Sequence, residues 1–480
     1  CDMALEYRQA TGLLINGDWR SSAKKLDVLH KYTGNVLAQV AVADERQVNE
    51  AVEAAEKAMR ETPLSAVKRA QILLKVASLL QEHTEEIARV IAQESGKPIR
   101  DARAEVARAV QTVTLSAEEG KRIHGESLPM DAMPNMEAYV GFTIRVPVGV
   151  VAAITPFNYP LNLVAHKVAP AIAAGNAVVL KPASTTPLSS MILCRLFEEA
   201  GLPAGYLNLV IGPGSVVGDA LVAAEGVRMI TFTGSPSVGR HIKAKSGIKK
   251  VTLELGNNSP NIVHADADID MAVSALVTRA YAQAGQSCIS VQRIYVHEKI
   301  FGAFLDKMSR ATQALEVGDP ERETTDVGPL ITLEEAKRVE SWIQEAVDDG
   351  AEIVCGGRRE GPVVEPTLLI NVKPQMSVVC KEVFGPVASV VPYHSLDEAV
   401  AMANDTVYGL QAGIFTNDIR NAWYAARNLD FGGVIINDAS SFRADLMPYG
   451  GVKESGIGRE GPRYAVEEMT ELRNVIFRLQ

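Results

Sequence analysis

Cysteine is scarce in this chain, and the few cysteines present form no recognisable pattern. The 480 residues contain five: Cys1, Cys194, Cys288, Cys355 and Cys380. They are odd in number and widely spaced, and no pair has C-x-x-C spacing, so the sequence favours neither a disulfide framework nor a zinc site. A reducing compartment fits this usage, and we expect a cytoplasmic protein without a bound metal.

Long apolar runs and excess positive charge are also missing. The most apolar stretch, LVAHKVAPAIAAGNAVVL, is interrupted by His166, Lys167, Pro170 and Gly175, which disqualifies it as a membrane span. The segment CDMALEYRQATG lacks the basic and then apolar pattern of a secretory leader. The formal net charge of −10 argues against a nucleic-acid partner, because phosphate backbones are bound by basic surfaces. We therefore expect neither a membrane nor a nucleic acid as partner.

The chain is long enough for more than one folding unit, because a single hydrophobic core stops growing at roughly 250–300 residues. DERQVNEAVEAAEKAM predicts a helix that begins at the cap candidate Asp44, and AQILLKVASLLQEHTEEIARVIAQESGKP predicts a helical stretch that ends at Gly96. From about residue 145, short apolar runs such as GVVAAI, AVVLK and MITFTG alternate with helical segments. This alternation predicts a parallel, doubly wound α/β sheet.

A second set of α/β units follows residue 255 and continues to about residue 435. It contains the helical pattern DIDMAVSALVTRAYAQAG and the strand pattern VQRIYVH. Residues 124–143 and 461–480 follow neither rhythm, and we expect them to form a small arm that pairs subunits. The sequence therefore predicts two α/β units and an arm.

Glycine turns after two predicted strands raise the question of a phosphate site. FTGSPSVGR places Gly234 and Gly239 at the start of a predicted helix, and GPG ends at Gly214. Backbone N–H groups in such a turn, together with a helix N-terminus, can bind a pyrophosphate. The spacing is not the G-x-G-x-x-G of the dinucleotide fingerprint. The residues alone leave a phosphate site and an ordinary strand-to-helix turn as alternatives.

Cys288 lies in AGQSCISVQ, between a helix predicted to end at Gly285 and a predicted strand. A helix C-terminus does not favour a thiolate, and an unperturbed thiol is little ionised at neutral pH. A nucleophilic Cys288 would therefore need other activating groups. The polar neighbours Gln286, Ser287 and Ser290 argue against deep apolar burial. A structural cysteine and a nucleophile remain alternatives.

Glu254 and Asn158 are equally ambiguous when taken alone. Glu254 in VTLELGNNSP interrupts an apolar strand pattern. Its side chain would lie either on an exposed strand face or at the carboxyl edge of the sheet, where α/β proteins bind ligands. Asn158 in TPFNYP follows a predicted strand, and its amide could cap a turn or donate to an oxyanion.

Together, the motifs of the chain resemble one family. TPFNYP, VVLKPAS, FTGSPSVG, LELGNNSP, GQSCIS, EVFGPV, NDTVYGL and PYGGVKESGIGREG occur in the order and approximate spacing of the aldehyde dehydrogenase superfamily, across essentially the whole chain. The resemblance implies an α/β fold with a modified Rossmann cofactor domain, an α/β catalytic domain and a small β oligomerisation arm. It assigns residues 1–123 and 144–254 to the NAD(P)-binding domain, 255–440 to the catalytic domain, and 124–143 with 461–480 to the arm of a homodimer or homotetramer.

The resemblance also implies roles for the three ambiguous residues. Cys288 would be the nucleophile that adds to the aldehyde carbonyl, and Asn158 with the Cys288 backbone N–H would form the oxyanion hole. Glu254 would be the general base for the water that hydrolyses the thioester, which gives a carboxylic acid.

NAD or NADP is implied as the cofactor. In this interpretation Lys181 reaches the adenosine ribose, the glycine turn holds the diphosphate, and Glu382 with Phe384 positions the nicotinamide. The implied cofactor-binding residues are Ile154, Pro156, Lys181, Ser184, Gly214, Phe232, Gly234, Ser235, Gly239, Glu382 and Phe384.

Three positions depart from common family patterns. Ser184 stands where many NAD-preferring members carry a glutamate, and serine has no carboxylate to repel a 2′-phosphate. Asn257 and Asn258 stand where glycine and lysine are frequent, so the surroundings of the base are expected to differ. Ser287 stands where members that act on phosphorylated trioses tend to carry arginine, which weakens that substrate assignment.

Arg108 and Arg443 lie at positions that line the substrate mouth in relatives that take short anionic or hydroxylated aldehydes. The lactaldehyde and phosphonoacetaldehyde dehydrogenases are the most similar subgroups by motif. A CoA-acylating dehydrogenase, a non-catalytic member of the family and a cofactor-free cysteine hydrolase are the alternatives. Glu254 argues against the CoA-acylating enzyme, and the presence of Cys288, Glu254 and Asn158 together argues against the non-catalytic member. The cofactor residues Lys181 and Glu382 argue against the hydrolase.

Overall fold

The computed structural model describes residues 11–479. Residues 1–10 and Gln480 lie outside this range, and with them the first residues of the predicted cofactor domain and the last residue of the predicted arm. No helix within residues 11–479 combines the length and apolar character that crossing a bilayer requires.

The strands are, in chain order, β1 Leu13–Ile15, β2 Asp18–Arg20, β3 Lys25–Leu29, β4 Val36–Ala41, β5 Ser127–Leu128, β6 Tyr139–Pro147, β7 Val150–Ile154, β8 Ala177–Lys181, β9 Leu207–Leu209, β10 Val227–Thr233, β11 Lys250–Glu254, β12 Pro260–Val263, β13 Arg293–His297, β14 Glu352–Cys355, β15 Arg359–Glu360, β16 Val363–Val364, β17 Thr367–Ile370, β18 Val387–Tyr393, β19 Gln411–Phe415, β20 Gly433–Ile436, β21 Gly456–Ile457 and β22 Thr470–Arg478. The α-helices are α1 Glu45–Glu61, α2 Ala66–Glu82, α3 Thr84–Ser95, α4 Ile99–Gly120, α5 Asn162–Ala174, α6 Leu188–Glu199, α7 Asp219–Ala223, α8 Pro236–Lys245, α9 Ile269–Tyr281, α10 Phe301–Gln313, α11 Leu333–Asp348, α12 Ser377–Cys380, α13 Leu396–Asn404, α14 Ile419–Asn428 and α15 Pro462–Glu468.

Seven of the fifteen described α-helices begin at a residue whose side chain caps the first turn. Asp44 caps α1 as predicted, in a capping box in which its carboxylate accepts the Gln47 N–H at 2.8 Å. The helical stretch predicted to continue to Gly96 is instead two helices, α2 and α3, separated at His83. Gly96 ends α3 with a left-handed φ of 76°. The apolar periodicity continues through the break, which is why the sequence pattern did not reveal it.

The first sheet has the order β2-β1-β9-β8-β7-β10-β11-β21 among the described residues. Strands β9, β8, β7, β10 and β11 are parallel, and the outer strands β1, β2 and β21 pair antiparallel. The connections from β7 to β8 and on to β9 lead towards one edge of the sheet, and the connection from β10 to β11 leads towards the other. The switch point therefore lies between β7 and β10. Ligands of doubly wound sheets bind at the carboxyl ends of such strands.

The second sheet has the order β14-β17-β18-β13-β12-β19-β20 and is parallel except for β14. It has its own apolar core, in which Phe304, Met308, Leu368 and Phe415 are fully buried. In the first sheet, β7 and β8 are buried along their whole length because helices cover both faces. The chain therefore builds two α/β units with separate cores.

A third, antiparallel sheet has the order β22-β6-β5. It includes parts of both segments predicted to form an arm, although β6 continues to Pro147, beyond the expected limit at residue 143. Within the segment 461–480, α15 packs through Val466 on the core of the first sheet, and only β22 joins the small sheet.

A buried ion pair fixes the segment that follows β7. The Glu105 carboxylate on α4 accepts a hydrogen bond from the Lys97 ammonium and also accepts the backbone N–H groups of Leu161 and Asn162 at 2.9 and 3.0 Å. The Lys97 ammonium lies 3.7 Å from the centre of the Tyr159 ring. Glu105 thus anchors the start of α5 directly after the TPFNYP segment.

Glu105→Gln should lower the free energy of unfolding by about 3 kcal/mol, because it leaves the buried Lys97 ammonium without a compensating charge. Chemical denaturation measures the change. The matched control is Asp306→Asn, which removes an exposed pair with Arg310 on α10 and should leave the unfolding midpoint nearly unchanged. Equal midpoints for the two variants would contradict the anchoring role of Glu105.

Candidate active site

Two cavities meet at the carboxyl ends of β7, β10 and β11. The larger has a volume of about 1070 Å³ and the smaller about 140 Å³. Asn158, Glu254 and Cys288 line both cavities. The structure therefore brings together three side chains that are far apart in sequence, at the junction between a large and a small binding space.

The loop that presents Cys288 has an unusual backbone. The preceding helix α9 ends at Tyr281, earlier than the predicted end at Gly285. Gln283, Ala284 and Gly285 all have left-handed φ angles, of 52°, 54° and 69°. A Cβ on Gly285 would lie 2.1 Å from the Gly385 carbonyl oxygen, so only glycine fits there. Left-handed conformations cost free energy at the two non-glycine positions, and the surroundings must hold them in place.

Two hydrogen bonds tie this loop to Asn158. The Asn158 side-chain amide donates to the Gln286 carbonyl at 2.9 Å, and the Gln283 side-chain amide donates to the Asn158 carbonyl. The Gln286 side chain in turn accepts the backbone N–H of Ile331 at 2.9 Å. The position of Cys288 is therefore linked to that of the Asn158 amide.

The Cys288 thiol is partly buried, and its sulfur lies 2.9 Å from the hydroxyl of Tyr449. Burial raises the pKa of Cys288 to about 12, and the hydrogen bond with Tyr449 opposes this rise. Without a bound substrate and cofactor, the thiol is therefore mostly protonated at neutral pH.

Glu254 is the last residue of β11 and is buried, so its side chain lies at the carboxyl edge of the sheet and not on an exposed face. Neither of its carboxylate oxygens has a hydrogen-bond partner within residues 11–479. Burial, and then the charge of Glu460, raises the pKa of Glu254 well above its usual range. Its surroundings therefore favour the protonated form of this carboxyl group more than water does.

The large cavity contains most of the residues predicted to bind the cofactor. Those that line it are Ile154, Pro156, Lys181, Gly214, Phe232, Gly234, Ser235, Glu382 and Phe384. Ser184 and Gly239 are not among its lining residues. The Ser184 hydroxyl donates to the Gly212 carbonyl at 2.8 Å. Gly239 lies inside α8, where a Cβ would come within 2.5 Å of the Leu255 side chain, so it is a packing glycine.

Two ionisable groups, the buried Lys181 and the half-buried Glu382, lie in the wall of the large cavity. Burial lowers the pKa of Lys181 to about 8 and raises that of Glu382 to about 7. The Glu382 carboxylate accepts the Asn257 backbone N–H at 3.0 Å. Within residues 11–479 the Lys181 ammonium makes only one long hydrogen bond, of 3.4 Å, to the Pro182 carbonyl. Both groups are thus available to bind the hydroxyl or phosphate groups of a ligand.

Asn257 and Asn258, which depart from the family pattern, support the second sheet. The Asn257 side-chain amide donates to the Ser259 hydroxyl at 2.8 Å, and that of Asn258 donates to the Val379 carbonyl at 2.9 Å. Neither side chain is a hydrogen-bond partner of Glu254 in the described part of the chain.

Three arginines line the small cavity. Arg443 is paired with Glu460 at 3.2 Å, and Arg108 forms two hydrogen bonds with Asp445 at 2.8 and 3.1 Å. The third, Arg279 on α9, makes no side-chain hydrogen bond or ion pair with the described residues.

The pKa of Glu460 is shifted in the opposite direction from that of Glu254, although both residues line the small cavity. Burial alone would raise the pKa of Glu460, but Lys167 and Arg443 lower it to about 2. Arg443 also lies over the ring of Tyr449, with its guanidinium carbon 3.7 Å from the ring centre. The cavity therefore contains more cationic than anionic groups at neutral pH.

Tyr449, Glu460 and Arg279 also line the small cavity, although no sequence pattern predicted them as residues of the site. Tyr449 and Glu460 lie within the quoted motif PYGGVKESGIGREG, but nothing local indicates that they face Cys288 or Arg443. Arg279 lies in a helical pattern in which an arginine is ordinarily a solvated residue. Their roles depend on how distant segments pack.

Comparison with known proteins agrees with this geometry. Residues 19–475 match the profile of the Aldehyde dehydrogenase family. The chain is 52% identical over 468 residues to a 3-sulfolactaldehyde dehydrogenase from Priestia aryabhattai, with 98% of each chain covered.

Two solved structures have the same fold. One is a glyceraldehyde-3-phosphate dehydrogenase from Methanocaldococcus jannaschii complexed with NADP, with 43% identity, a TM-score of 0.91 and coverage of 95% of this chain and 100% of that one. The other is an aldehyde dehydrogenase from Bacillus cereus in complex with NAD+, with 34% identity, a TM-score of 0.96 and coverage of 100% and 99%. The predicted fold class and cofactor are thereby confirmed. The chain belongs to the aldehyde dehydrogenase family and is an oxidoreductase that uses NAD or NADP.

Proposed function

We propose that this enzyme oxidises a short aldehyde bearing a hydroxyl or an anionic group to its carboxylic acid, through a thiohemiacetal and then a thioester on Cys288. The observation that supports it most is the convergence of Cys288, Asn158 and Glu254 where the two cavities join. The large cavity would take the cofactor and the small one the rest of the aldehyde. In this arrangement the carbonyl carbon lies next to the thiol, the amide and the carboxyl group.

The first step is addition of the Cys288 sulfur to the carbonyl carbon, which moves negative charge to the carbonyl oxygen. One N–H of the Asn158 side-chain amide is used by the Gln286 carbonyl, which leaves the other for this oxygen. The Cys288 backbone N–H makes no hydrogen bond with the described residues and can act as the second donor. One such donor is typically worth roughly 3–4 kcal/mol of barrier.

The large cavity suits a nicotinamide dinucleotide. Gly214 has open space where a Cβ would stand, and Gly234 and Ser235 lead into the N-terminus of α8, which favours a diphosphate. Lys181 would bind the adenosine ribose, and Glu382 with Phe384 would position the nicotinamide. Ser184 presents no carboxylate near that ribose, so a 2′-phosphate is tolerated. When bound, the cofactor accepts the hydride whose loss leaves the thioester on Cys288.

Glu254 then acts on the thioester as general base for water. Its carboxyl oxygens have no hydrogen-bond partner in the described chain, so they are free to hold a water molecule. Its raised pKa brings its basicity closer to that needed near neutral pH. The water donates its proton to Glu254 as its oxygen adds to the thioester carbon, and the Cys288 thiolate leaves. A CoA-acylating enzyme would need no such base.

The small cavity favours an anionic substrate. Arg443 and Arg108 are paired with Glu460 and Asp445, whereas Arg279 forms no ion pair with the described residues and only interacts at longer range with the Asp101 carboxyl group. The Nε of Arg443 is buried and has no hydrogen-bond partner within residues 11–479. We propose that Arg279 and Arg443 bind the substrate anion and that Arg108 lines its entrance. The relative from Priestia aryabhattai is named for an aldehyde that carries a hydroxyl and a sulfonate, which agrees with this assignment.

We also propose that the chain forms a homodimer or homotetramer through the small sheet of β5, β6 and β22. Val140, Phe142 and Ile144 alternate along β6 and so share one face, and Phe477 lies opposite Val140 on β22. All four side chains are exposed. A second copy of the chain would bury this apolar face.

We also propose that residues 1–123 and 144–254 form the cofactor-binding domain and that residues 255–440 form the catalytic domain.

The wild-type enzyme should reduce NAD or NADP with a short aldehyde in the absence of CoA. Glu254→Gln should give one rapid equivalent of reduced cofactor per active site and then a slow steady state, because the thioester forms but is hydrolysed slowly. Stopped-flow absorbance measures both phases. Cys288→Ala should show neither phase, and Glu53→Gln, an exposed change on α1, should behave as wild type. A normal steady state for Glu254→Gln would assign the base to another residue.

Arg279→Met should raise KM for phosphonoacetaldehyde by about tenfold and change KM for propanal little, because a hydrogen bond to a charged group is worth roughly 1.5–3 kcal/mol. Initial rates with both aldehydes measure the difference. Arg420→Met, a change at an exposed arginine on α14, is the control. Equal effects on the two aldehydes would show that Arg279 does not bind the anion.

Phe477→Asp should shift the enzyme towards the monomer, because a charge on the apolar face of β6 and β22 would be buried in the assembly. Light scattering coupled to size-exclusion chromatography measures the mass. Ile248→Asp changes a fully exposed apolar residue elsewhere and should leave the mass unchanged. An unaltered mass for Phe477→Asp would place the subunit contact on another surface.

A further inference from the structure

The hydroxyl of Tyr449 is the hydrogen-bond partner of the Cys288 sulfur, at 2.9 Å. Within residues 11–479 neither atom has another hydrogen-bond partner. A thiol and a phenol can each donate to the other. Once the sulfur has lost its proton, however, only the phenol can donate. The direction of this hydrogen bond is therefore fixed in the state in which Cys288 reacts.

Tyr449 is held firmly in this position. Its backbone N–H donates to the Glu460 carbonyl, and the Glu460 N–H donates back to the Tyr449 carbonyl. The side chain is buried, packs beside Ile289 and Leu410, and lies beneath the Arg443 guanidinium. A cation over the face of a phenol ring makes the O–H group more acidic and therefore a stronger hydrogen-bond donor.

We propose that Tyr449 is a further catalytic residue, whose phenol O–H donates a hydrogen bond to the Cys288 thiolate and so increases the fraction of nucleophile available for attack. The inference rests on the proposed role of Cys288 as nucleophile. It adds an activating group that is separate from Asn158, which serves the carbonyl oxygen, and from Glu254, which serves water.

The electrostatic surroundings of Cys288 make such a donor necessary. Burial disfavours the thiolate most, and the nearby carboxyl groups of Glu382 and Glu254 disfavour it further. The Tyr449 hydrogen bond and the charge of Arg443 act in the opposite direction. The phenol itself keeps its proton, because burial raises the pKa of Tyr449 well above its usual range.

The test compares Tyr449→Phe with the parent enzyme in the rate at which iodoacetamide alkylates Cys288, measured at several pH values in cofactor-free protein. Both proteins carry Cys1→Ser and Cys380→Ser, since Cys194 and Cys355 are buried. Loss of a hydrogen bond to a charged group should raise the thiol pKa by about one unit. The tenfold smaller thiolate fraction is partly offset by greater nucleophilicity, so alkylation should slow by about threefold to fourfold at each pH.

Tyr206→Phe is the matched control, because Tyr206 is also buried and donates its hydroxyl to a backbone carbonyl, that of Thr62, at 3.0 Å. It should change stability but not the alkylation rate. A rate for Tyr449→Phe that equals or exceeds that of the parent would overturn the role of Tyr449. If alkylation of Cys288 leaves the parent fully active, Cys288 is not the nucleophile and the proposed function itself fails. The two failures are therefore distinguishable.

Discussion

The site depends on the pair of hydrogen bonds between Asn158 and the loop that bears Cys288. One runs from the Asn158 amide to Gln286, and the other from the Gln283 amide to the Asn158 carbonyl. They join a segment that follows β7 of the first sheet to a loop that precedes β13 of the second. The left-handed backbone at Gln283 and Ala284 is costly and persists because these contacts hold it. The distance between the Cys288 loop and the Asn158 amide is thereby set by two α/β units jointly.

Burial acts on every ionisable group of the site, and the partners decide which groups stay charged. Glu460 has Lys167 and Arg443 beside it and remains a carboxylate. Glu254 in the same cavity has no hydrogen-bonding partner among the described residues, and its pKa is raised. Two titratable groups commonly take different roles when their surroundings shift their pKa values in opposite directions. In this enzyme one carboxyl group fixes a cation, and the other is the group for which we propose proton exchange.

Much of the architecture could be predicted from local patterns, because buried parallel strands such as β7 and β8 are continuous apolar runs and caps such as Asp44 are local. The break at His83 could not, since apolar periodicity continues across it. Cys288, Glu254 and Asn158 were ambiguous by themselves, and only the joint order of motifs assigned them roles. Tyr449 and Arg279 act through contacts made by segments distant in sequence, and their surroundings exist only in the folded chain.

The recognition function proposed for Arg108 and Arg443 is compatible with the carboxylates that compensate their charges. A guanidinium has five N–H donors, and a carboxylate partner uses only some of them. Asp445 accepts from Nε and one terminal nitrogen of Arg108. Glu460 accepts from one terminal nitrogen of Arg443, whose buried Nε has no acceptor in the described part of the chain. The carboxylates therefore fix the orientation of the guanidinium groups without exhausting their donors. Prior orientation lowers the entropy lost when a substrate binds, so a paired arginine can recognise a small anion with greater geometric selectivity than a mobile one.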